Sequence, residues 1–331
     1  MDETNVANIF GHGIVQSSGV VRVISQLDEF VNFGSAACTL MMWSRKKENW
    51  YNFNIGWTAI RLVCNDSGMF ALGVDGRVLS AGPSGVSEEM IDESDQGPSK
   101  RGEIKDMCLI GDYLYVVGAC GQVYRREGPD KWVRWDKGIE NTDVELNAIH
   151  GLDGSDVYAV GASGGIWRCV DGAWKQLESP TDTTLCNVRV VEPGLAYMVG
   201  EKGVLVRCDQ GTCRVVQEIE AKEDLVGIEW FDGKLYVAGE SCIYVLNDSG
   251  LESAKAGYGP GFTFGHLSAN DGVMWSFGKN HLFRTDDGTR WHNATPHTTL
   301  LDPVETGPRH GQSACGCAGG SHTGGGSFQC S

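Results

Sequence analysis

The residues best suited to metal or thiol chemistry lie near the C-terminus. Cys315 and Cys317 are separated by one residue, and His322 and Cys330 follow. Thiolates and imidazoles are ligands that suit Zn²⁺ or Cu⁺. We therefore treat Cys315, Cys317, His322 and Cys330 as a candidate metal site, in which His310 is an alternative ligand to His322. The spacing differs from that of a structural zinc finger.

The segment that carries these ligands has the composition of a flexible tail. From residue 297 onward the strand pattern stops, and residues 311–331 are nearly all small. Such a segment cannot repay its ordering entropy by burying apolar surface. We predict that residues 297–331 are disordered. Metal binding, disulfide formation, modification of the thiols and docking into a partner all stay open as uses of its cysteines.

Elsewhere the side chains of a catalytic centre do not stand in a recognisable pattern. The metalloprotease motif H-E-x-x-H and the phosphate-binding loop are absent. The histidines at positions 12, 150, 266, 281, 292 and 297 show no ligand spacing on one strand, which favours structural roles. We therefore predict no catalytic residue.

Composition limits the classes of partner. The chain has 331 residues, 41% of them hydrophobic, and a net charge of −16. Such a surface repels the phosphate backbone, so we expect no nucleic-acid partner. A signal-peptide pattern and a stretch of 18 apolar residues are both missing from the sequence. We expect no membrane partner, and a location in the cytoplasm or in a larger assembly such as a viral particle.

Nine of the 12 cysteines are scattered ahead of the tail. Without an export signal, we expect most of them to be reduced and to serve as small core residues. Cys208 and Cys213 flank a short turn, so a disulfide across a hairpin is the alternative for this pair.

A glycine that follows two or three apolar residues recurs along the chain. The steps between these glycines are 39, 45, 43, 39, 39 and 39 residues, and the glycines are Gly34, Gly73, Gly118, Gly161, Gly200, Gly239 and Gly278. Evenly spaced self-similarity of this length is typical of repeat architectures.

Each repeat reads as four short strands. In the fourth repeat, residues 146–150, 157–160, 166–169 and 174–177 are rich in β-branched and aromatic residues, and glycine-containing turns separate them. The third turn recurs best, as Asp171-Gly172 before Trp174 and as Asp287-Gly288 before Trp291. We expect the aspartate to accept bonds from the following N–H groups, the glycine to supply a positive φ, and the large residue to pack on a neighbouring sheet.

A 40-residue unit of four strands cannot bury both of its faces, whereas seven units in a ring shield one another. We therefore predict an all-β fold, a seven-bladed β-propeller with four-stranded antiparallel blades and a disordered C-terminal tail. The predicted boundaries are an N-terminal extension (residues 1–18), the propeller (19–296) and the tail (297–331). Each unit owns its four strands, so the ring is expected to close without strand exchange, although residues 9–15 could pair with the last blade. The acidic segment 83–103 is predicted to be a mobile loop.

Two stretches resemble known propeller repeats. The segment from Phe283 to Trp291 resembles a shortened Asp-box, the turn of sialidase-like (BNR-like) propellers. The stretch from Val157 to Arg168 is similar to repeats of photosystem II assembly-factor propellers. This resemblance covers roughly residues 19–296 and implies architecture only. A sialidase would need converging arginines, but the arginines here repeat once per blade in the third strand, at Arg125, Arg168, Arg207 and Arg284.

Recognition is therefore the function that the sequence favours. We predict a non-enzymatic scaffold whose face loops dock another protein, since loops at a propeller face are exposed. Two alternatives are a metal- or thiol-based function of the tail, and a carbohydrate-binding or glycan-cleaving propeller. The candidate contact residues are Trp57, Glu201, Lys202, Glu240, Lys279, Asn280 and His281.

Overall fold

The computed structural model describes residues 8–27, 37–66, 68–139, 143–218, 223–254 and 261–296. These residues form seven four-stranded antiparallel sheets, and each sheet consists of four strands that are consecutive in sequence. The first strand of each sheet packs against the first strands of the two neighbouring sheets, and contact between the first and last sheets closes the ring. The predicted seven-bladed β-propeller is confirmed, and so is its closure without strand exchange.

The first four blades contain the following strands. Blade 1 has β1 (Asn8–Ser17), β2 (Val20–Leu27), β3 (Cys38–Ser44) and β4 (Asn49–Ile55). Blade 2 has β5 (Ala59–Asn65), β6 (Gly68–Gly73), β7 (Arg77–Gly82) and β8 (Gly85–Met90). Blade 3 has β9 (Ile104–Ile110), β10 (Tyr113–Gly118), β11 (Val123–Gly128) and β12 (Lys131–Arg134). Blade 4 has β13 (Leu146–Gly151), β14 (Asp156–Gly161), β15 (Ile166–Val170) and β16 (Ala173–Gln176).

The other three blades follow the same order. Blade 5 has β17 (Leu185–Glu192), β18 (Leu195–Gly200), β19 (Val204–Asp209) and β20 (Thr212–Glu218). Blade 6 has β21 (Gly227–Phe231), β22 (Lys234–Ala238), β23 (Ile243–Asn247) and β24 (Gly250–Ser253). Blade 7 has β25 (Gly265–Asn270), β26 (Val273–Gly278), β27 (Leu282–Thr285) and β28 (His292–Asn293). Helix α1 (Pro98–Arg101) and three short 3-10 turns, Ala119–Gly121, Ala162–Gly164 and Glu201–Gly203, lie in the connections.

The hydrophobic core lies between the blades. Each junction between neighbouring blades holds one cluster of buried side chains, for example Trp167 and Trp174 of blade 4 with Tyr115 of blade 3. The second strands are buried almost throughout, as in Val273–Gly278, whereas outer strands such as Lys131–Arg134 are largely exposed. Apolar residues on both faces of the inner strands are buried by the two neighbouring blades, which explains why a single repeat could not be stable.

One sequence-based boundary and the position of one strand were wrong. Residues 8–17 are not an N-terminal extension, because they form the innermost strand of blade 1 and pair with Val20–Leu27. The second strand of blade 1 therefore comes earlier than the glycine pattern placed it, and Gly34 lies outside the described residues. Residues 1–7 and the whole predicted tail, 297–331, also lie outside them.

The segment 83–103 contains regular structure where we predicted a loop. Residues 85–90 are the fourth strand of blade 2, and residues 98–101 are helix α1. Its polar composition hid the strand, because an outermost strand exposes most of its side chains and has no need for alternating apolar residues. One acidic residue of this strand, Glu89, is nevertheless 8% exposed.

The recurring glycine allows a close approach between two backbone segments. A Cβ atom on Gly161 would lie 1.7 Å from the carbonyl oxygen of Glu145, the residue just before the first strand of the same blade. Gly118 and Gly200 meet the equivalent oxygens at 2.3 and 2.1 Å. Each of these oxygens also accepts a hydrogen bond from the backbone N–H of the residue that follows the glycine. For example, the Glu145 oxygen accepts from Ala162 at 3.1 Å. The recurring glycine therefore marks the point in these blades where the end of the second strand lies against the start of the first strand.

Substitution of Gly161 by alanine is expected to lower the free energy of unfolding by about 1–3 kcal/mol, because the added methyl group must displace a hydrogen-bonded backbone segment. Urea unfolding followed by tryptophan fluorescence measures the change. Gly128→Ala is the matched control, since nothing lies within 4 Å of a Cβ at that position. Equal stability of the two variants would contradict this explanation of the repeat.

The predicted turn chemistry is confirmed in blade 7. In blade 4 its glycine and tryptophan parts are confirmed, and Gly172 has a φ of 77°. Asp287 accepts hydrogen bonds from the backbone N–H groups of Thr289 and Arg290, at 2.9 and 2.7 Å, and Gly288 has a φ of 69°. Trp174, which follows the equivalent turn, is 2% exposed, and its indole N–H donates to the carbonyl oxygen of Trp135 in the connection from blade 3. Asp287 therefore has a structural role.

The described cysteines include two buried free thiols, Cys38 and Cys169, five partly exposed ones and one disulfide. Cys208 and Cys213 form a disulfide between the paired strands β19 and β20, the alternative that the short turn allowed. The other described cysteines are free thiols: Cys38, Cys64, Cys108, Cys120, Cys169, Cys186 and Cys242. Desolvation raises the pKa of Cys169 to about 12, so its thiol stays protonated at neutral pH.

Candidate binding site at the channel mouth

The first strands of the seven blades line a central channel and hold one another through polar side chains. These strands are the inner edges of their sheets, so the backbone N–H groups that do not pair within the sheet need other acceptors. At five junctions a side chain of one blade accepts an N–H from the next. The donor–acceptor pairs are Leu62–His12, Ile149–Asp106, Val190–His150, Ala269–Glu229 and Val15–Ser268, at 2.9–3.3 Å.

Ion pairs bridge the remaining two junctions. Arg61 of blade 2 contacts Asp106 of blade 3 at 2.7 Å, and Arg189 of blade 5 contacts Glu229 of blade 6 at 2.5 Å. Glu229 is 3% exposed and accepts additional backbone N–H bonds, which offset the cost of burying its charge. The charges inside the channel therefore cancel in pairs.

The channel histidines are held neutral. Desolvation, together with Arg189, lowers the pKa of His150 well below its usual value. Desolvation also lowers the pKa of His12, with further contributions from His266 and Arg61. The rings of His12 and His266 lie 4.0 Å apart, centre to centre, and the pKa of His266 falls to about 3. Two neighbouring rings in this environment cannot both carry charge at neutral pH.

A cavity of about 1220 Å³ opens from the channel toward one face of the ring. This face, which we call the mouth face, is formed by the turns between second and third strands and by the connections between blades. The floor of the cavity includes His12, Arg61 and His266, and its walls include Phe262 and Phe264. A concave site with an apolar wall and a few polar groups is a typical binding site.

Three carboxylates form what we call the acidic rim of this cavity: Glu223, Asp224 and Glu240. Glu223 accepts hydrogen bonds from the Tyr244 hydroxyl at 2.6 Å and from the backbone N–H and hydroxyl of Ser241 at 2.9 and 2.7 Å. Asp224 accepts the backbone N–H of Lys202 at 3.0 Å. Among the described residues, none of the three rim carboxylates has an ion-pair partner.

Comparison with known proteins identifies the family. Over 225 residues the chain is 32% identical to Immune protein Tsi7 of Pseudomonas aeruginosa strain PAO1, a match that spans 66% of this chain and 73% of the relative. The chain belongs to the family of Immune protein Tsi7. No protein-family model matches this Tsi7-family chain.

Solved structures that resemble this Tsi7-family chain share its fold at low sequence identity. The WD40 β-propeller domain of Doa1 superimposes with a TM-score of 0.67 at 11% identity, covering 84% of this chain and 92% of that one. YCF48 from Cyanidioschyzon merolae gives a TM-score of 0.63 at 11% identity, covering 84% and 94%. Both neighbours are seven-bladed propellers, in agreement with the architecture that the sequence resemblance implied.

Most of the predicted contact residues lie on the mouth face of the Tsi7-family propeller, but Trp57 was predicted wrongly as an exposed contact. It is 8% exposed, packs in the cluster between blades 1 and 2, and donates its indole N–H to Glu88 at 2.9 Å. A tryptophan in a blade connection fills the wedge between two sheets more readily than it faces solvent, because its large apolar ring is stabilised by burial.

The other predicted contact residues fall into two groups. Glu240 and Lys279 line the cavity, and Lys202 is exposed beside Asp224. The remaining three have structural bonds: Glu201 donates its backbone N–H to Thr184, Asn280 donates its own to Thr263, and His281 accepts from the backbone N–H of Thr263 at 3.2 Å. Desolvation lowers the pKa of His281. Sequence reasoning missed Glu223 and Asp224, which no local motif marks.

The described part of this Tsi7-family chain contains no site for the metal-based alternative. The predicted ligands Cys315, Cys317, His322 and Cys330 lie outside it, and no three His, Cys, Asp or Glu residues within it could hold a metal ion. No described helix is long and apolar enough to cross a membrane.

The recurring third-strand arginines do not converge on one site. Within their own blades, Arg125 pairs with Glu127, Arg168 with Asp156, and Arg207 with Asp209. Arg284 lies over the ring of Trp43. The cluster that a sialidase requires is therefore not formed by these four residues.

Residues 161–165 match the nucleophile motif G-x-S-x-G. Ser163 has a φ of 52°, but it lies in a turn between two strands, where that motif requires a strand followed by a helix. Cys120 and Lys202 occupy the same turn position with φ values of 55° and 57° in blades 3 and 5. The motif is therefore the ordinary turn of this propeller.

Proposed function

We propose that this chain is an immunity protein that protects a cell by binding a toxic protein partner through its mouth face. The observation that carries the proposal is its membership of the Tsi7 family, at 32% identity over 225 residues. The proposal includes the predicted location, in the cytoplasm or in a larger assembly, where such a partner would be met.

The architecture supports binding in place of catalysis. Inside the channel, polar side chains of the first strands form ion pairs and hydrogen bonds with one another and with the backbone. These side chains are therefore already paired within the protein. The mouth face, by contrast, has a large open cavity and exposed charged loops. Exposed loops on a rigid scaffold are where proteins concentrate recognition.

Growth rescue tests the proposal. The partner is captured on the immobilised full chain, identified by mass spectrometry, and then produced in a bacterial host with and without the chain. We expect the partner to arrest growth, the chain to restore it, and the two purified proteins to form a stable complex. A partner that is harmless, or toxicity that persists despite complex formation, would refute an immunity function.

A matched pair of variants tests the face. Lys202→Ala/Glu240→Ala/Lys279→Ala changes exposed residues of the mouth face, and Lys46→Ala/Asp112→Ala/Lys234→Ala changes equally exposed residues on the opposite side of the ring or its edge. We expect the first variant to weaken the complex about ten-fold or more and to reduce rescue, and the second to retain both. The reverse pattern would assign the interface elsewhere.

A further inference from the structure

We propose that the mouth cavity is a receptor for an arginine or lysine side chain that projects from a basic surface of the partner protein. This inference rests on the proposed function, because it specifies the chemistry of the partner at the same site. The proposal is carried by a large cavity with a partly aromatic wall, whose three rim carboxylates form no ion pair with any described cation.

The rim lies where loops from two blades meet. Glu223 and Asp224 belong to the connection between blades 5 and 6, and Glu240 belongs to the turn after the second strand of blade 6. The hydrogen bonds from Ser241 to Glu223 hold the two loops together. The carboxylate of Glu223 is thus positioned before any partner arrives, which reduces the ordering cost of binding.

The charge below the rim does not compensate these carboxylates. Arg61, on the cavity floor, is already paired with Asp106 at 2.7 Å, and His12 and His266 are neutral. Lys279 is the one other cation among the described lining residues, against three carboxylates. A net negative cavity mouth attracts a cation and disfavours an anion.

The shape of the cavity favours a long side chain with a charged end. The walls include the aromatic rings of Phe262 and Phe264, and Val226 beside the rim is 40% exposed. An arginine or lysine stem can pack on such apolar surface while its charged group reaches carboxylates. The cavity volume of about 1220 Å³ leaves space for the side chain and its flanking backbone.

The first test uses a defined probe and does not depend on the partner. ¹⁵N-labelled protein is titrated with the peptide acetyl-Gly-Arg-Gly-amide and, separately, with its uncharged citrulline analogue. We expect the arginine peptide to shift the amide signals of Ser241 and Lys202, which donate to rim carboxylates, and the analogue to shift them at least several-fold less. Equal shifts from both peptides, or shifts that map to another part of the ring, would overturn the proposal.

Matched variants separate the rim from general surface charge. Glu223→Gln/Asp224→Asn/Glu240→Gln removes three rim charges, while Asp112→Asn/Asp171→Asn/Asp248→Asn removes three exposed charges from turns on the opposite face. We expect only the rim variant to lose the peptide-induced shifts. Glu240→Gln is a second, milder variant, because the Glu240 side chain has no hydrogen bond to another described residue and its backbone bond to Phe264 is retained. It is expected to weaken peptide binding without changing the melting temperature.

The complex with the toxic partner provides the second test. We expect the rim variant to bind the partner on the order of ten- to hundred-fold more weakly than the opposite-face variant, and to lose most of the salt dependence of association. If the partner binds both variants equally, the receptor role fails while the immunity function stands. If the full chain binds no toxic partner, the immunity function fails, and the peptide titration alone decides the receptor role.

Discussion

Replacing Glu89 by alanine is expected to lower the free energy of unfolding by about 3–5 kcal/mol, because it leaves a buried positive charge without its partner. Glu89 lies on the outer strand of blade 2 and reaches into blade 3. Its carboxylate accepts from Arg126 at 2.5 and 3.2 Å, from the backbone N–H of Asp130 at 2.7 Å, and from the indole of Trp132 at 3.2 Å.

The cost arises mainly from what remains after the substitution. The Arg126 side chain is 14% exposed and lies over the ring of Phe70 at 5.2 Å, so water cannot easily replace the lost carboxylate. The N–H groups of Asp130 and Trp132 also lose their acceptor. Removing one member of a buried, hydrogen-bonded ion pair is among the few single changes that cost this much.

Urea unfolding measures the Glu89→Ala effect, and Glu93→Ala is its control. Glu93 is an exposed acid four residues further along the chain, and its side chain has no ion pair or hydrogen bond with another described residue. The double variant Glu89→Ala/Arg126→Met should recover part of the loss, since it removes the uncompensated charge. A Glu89→Ala variant as stable as Glu93→Ala would show that the cluster does not hold blades 2 and 3 together.

Lowering the pH from 6.5 to 5 is expected to destabilise the propeller by up to about 1.4 kcal/mol per pH unit for each histidine that stays neutral in the channel. The pKa values of His12, His150 and His266 all lie below the usual value of 6.5. In this window the unfolded chain binds protons at these residues and the folded chain does not. Stability therefore falls as the pH falls.

The carboxylates of the turns act in a different pH range. Hydrogen bonds lower the pKa values of Asp153, Asp271 and Asp287 from 3.8, so their stabilising effect is lost only at more acidic pH. The loss between pH 6.5 and 5 is thus assigned to histidines with a lowered pKa, namely the three in the channel and His281. Glu229, whose pKa is raised by desolvation, acts in the opposite direction. This separation makes the window suitable for measurement.

Unfolding at several pH values with His150→Asn tests the assignment. The asparagine oxygen can replace Nδ1 of His150, which accepts the N–H of Val190, but asparagine does not titrate. We expect this variant to lose up to about 1.4 kcal/mol per pH unit of the slope. His292→Asn, at an exposed histidine, should leave the slope unchanged. Identical slopes in all three proteins would rule out a titrating channel histidine.

The recurring glycines show how much of the fold can be predicted from local sequence patterns. Their spacing predicted seven four-stranded units, and the aspartate–glycine turns predicted which residues face neighbouring sheets. Both features repeat because every blade packs its two faces against neighbouring blades in the same way. A pattern that must recur in every blade is visible in one sequence.

The residues whose roles the sequence did not predict occur once in the ring and do not recur from blade to blade. Residues 8–17 looked like an extension because their partner strand precedes the first recognisable glycine. Trp57 looked exposed because it lies in a connection, although the wedge between two blades buries it. Glu89 looked solvated because its strand is acidic.

The sequence by itself determined the architecture: all-β composition, the number of units, and the turns that join their strands. These depend on residues close together in the chain. Only the tertiary structure decided the polar ring, the cavity and its acidic rim. Glu223 and Glu240 come from two separate loops beside blade 6, and Arg61 comes from a strand of blade 2. Closing the ring brings them together, and no local spacing encodes that approach.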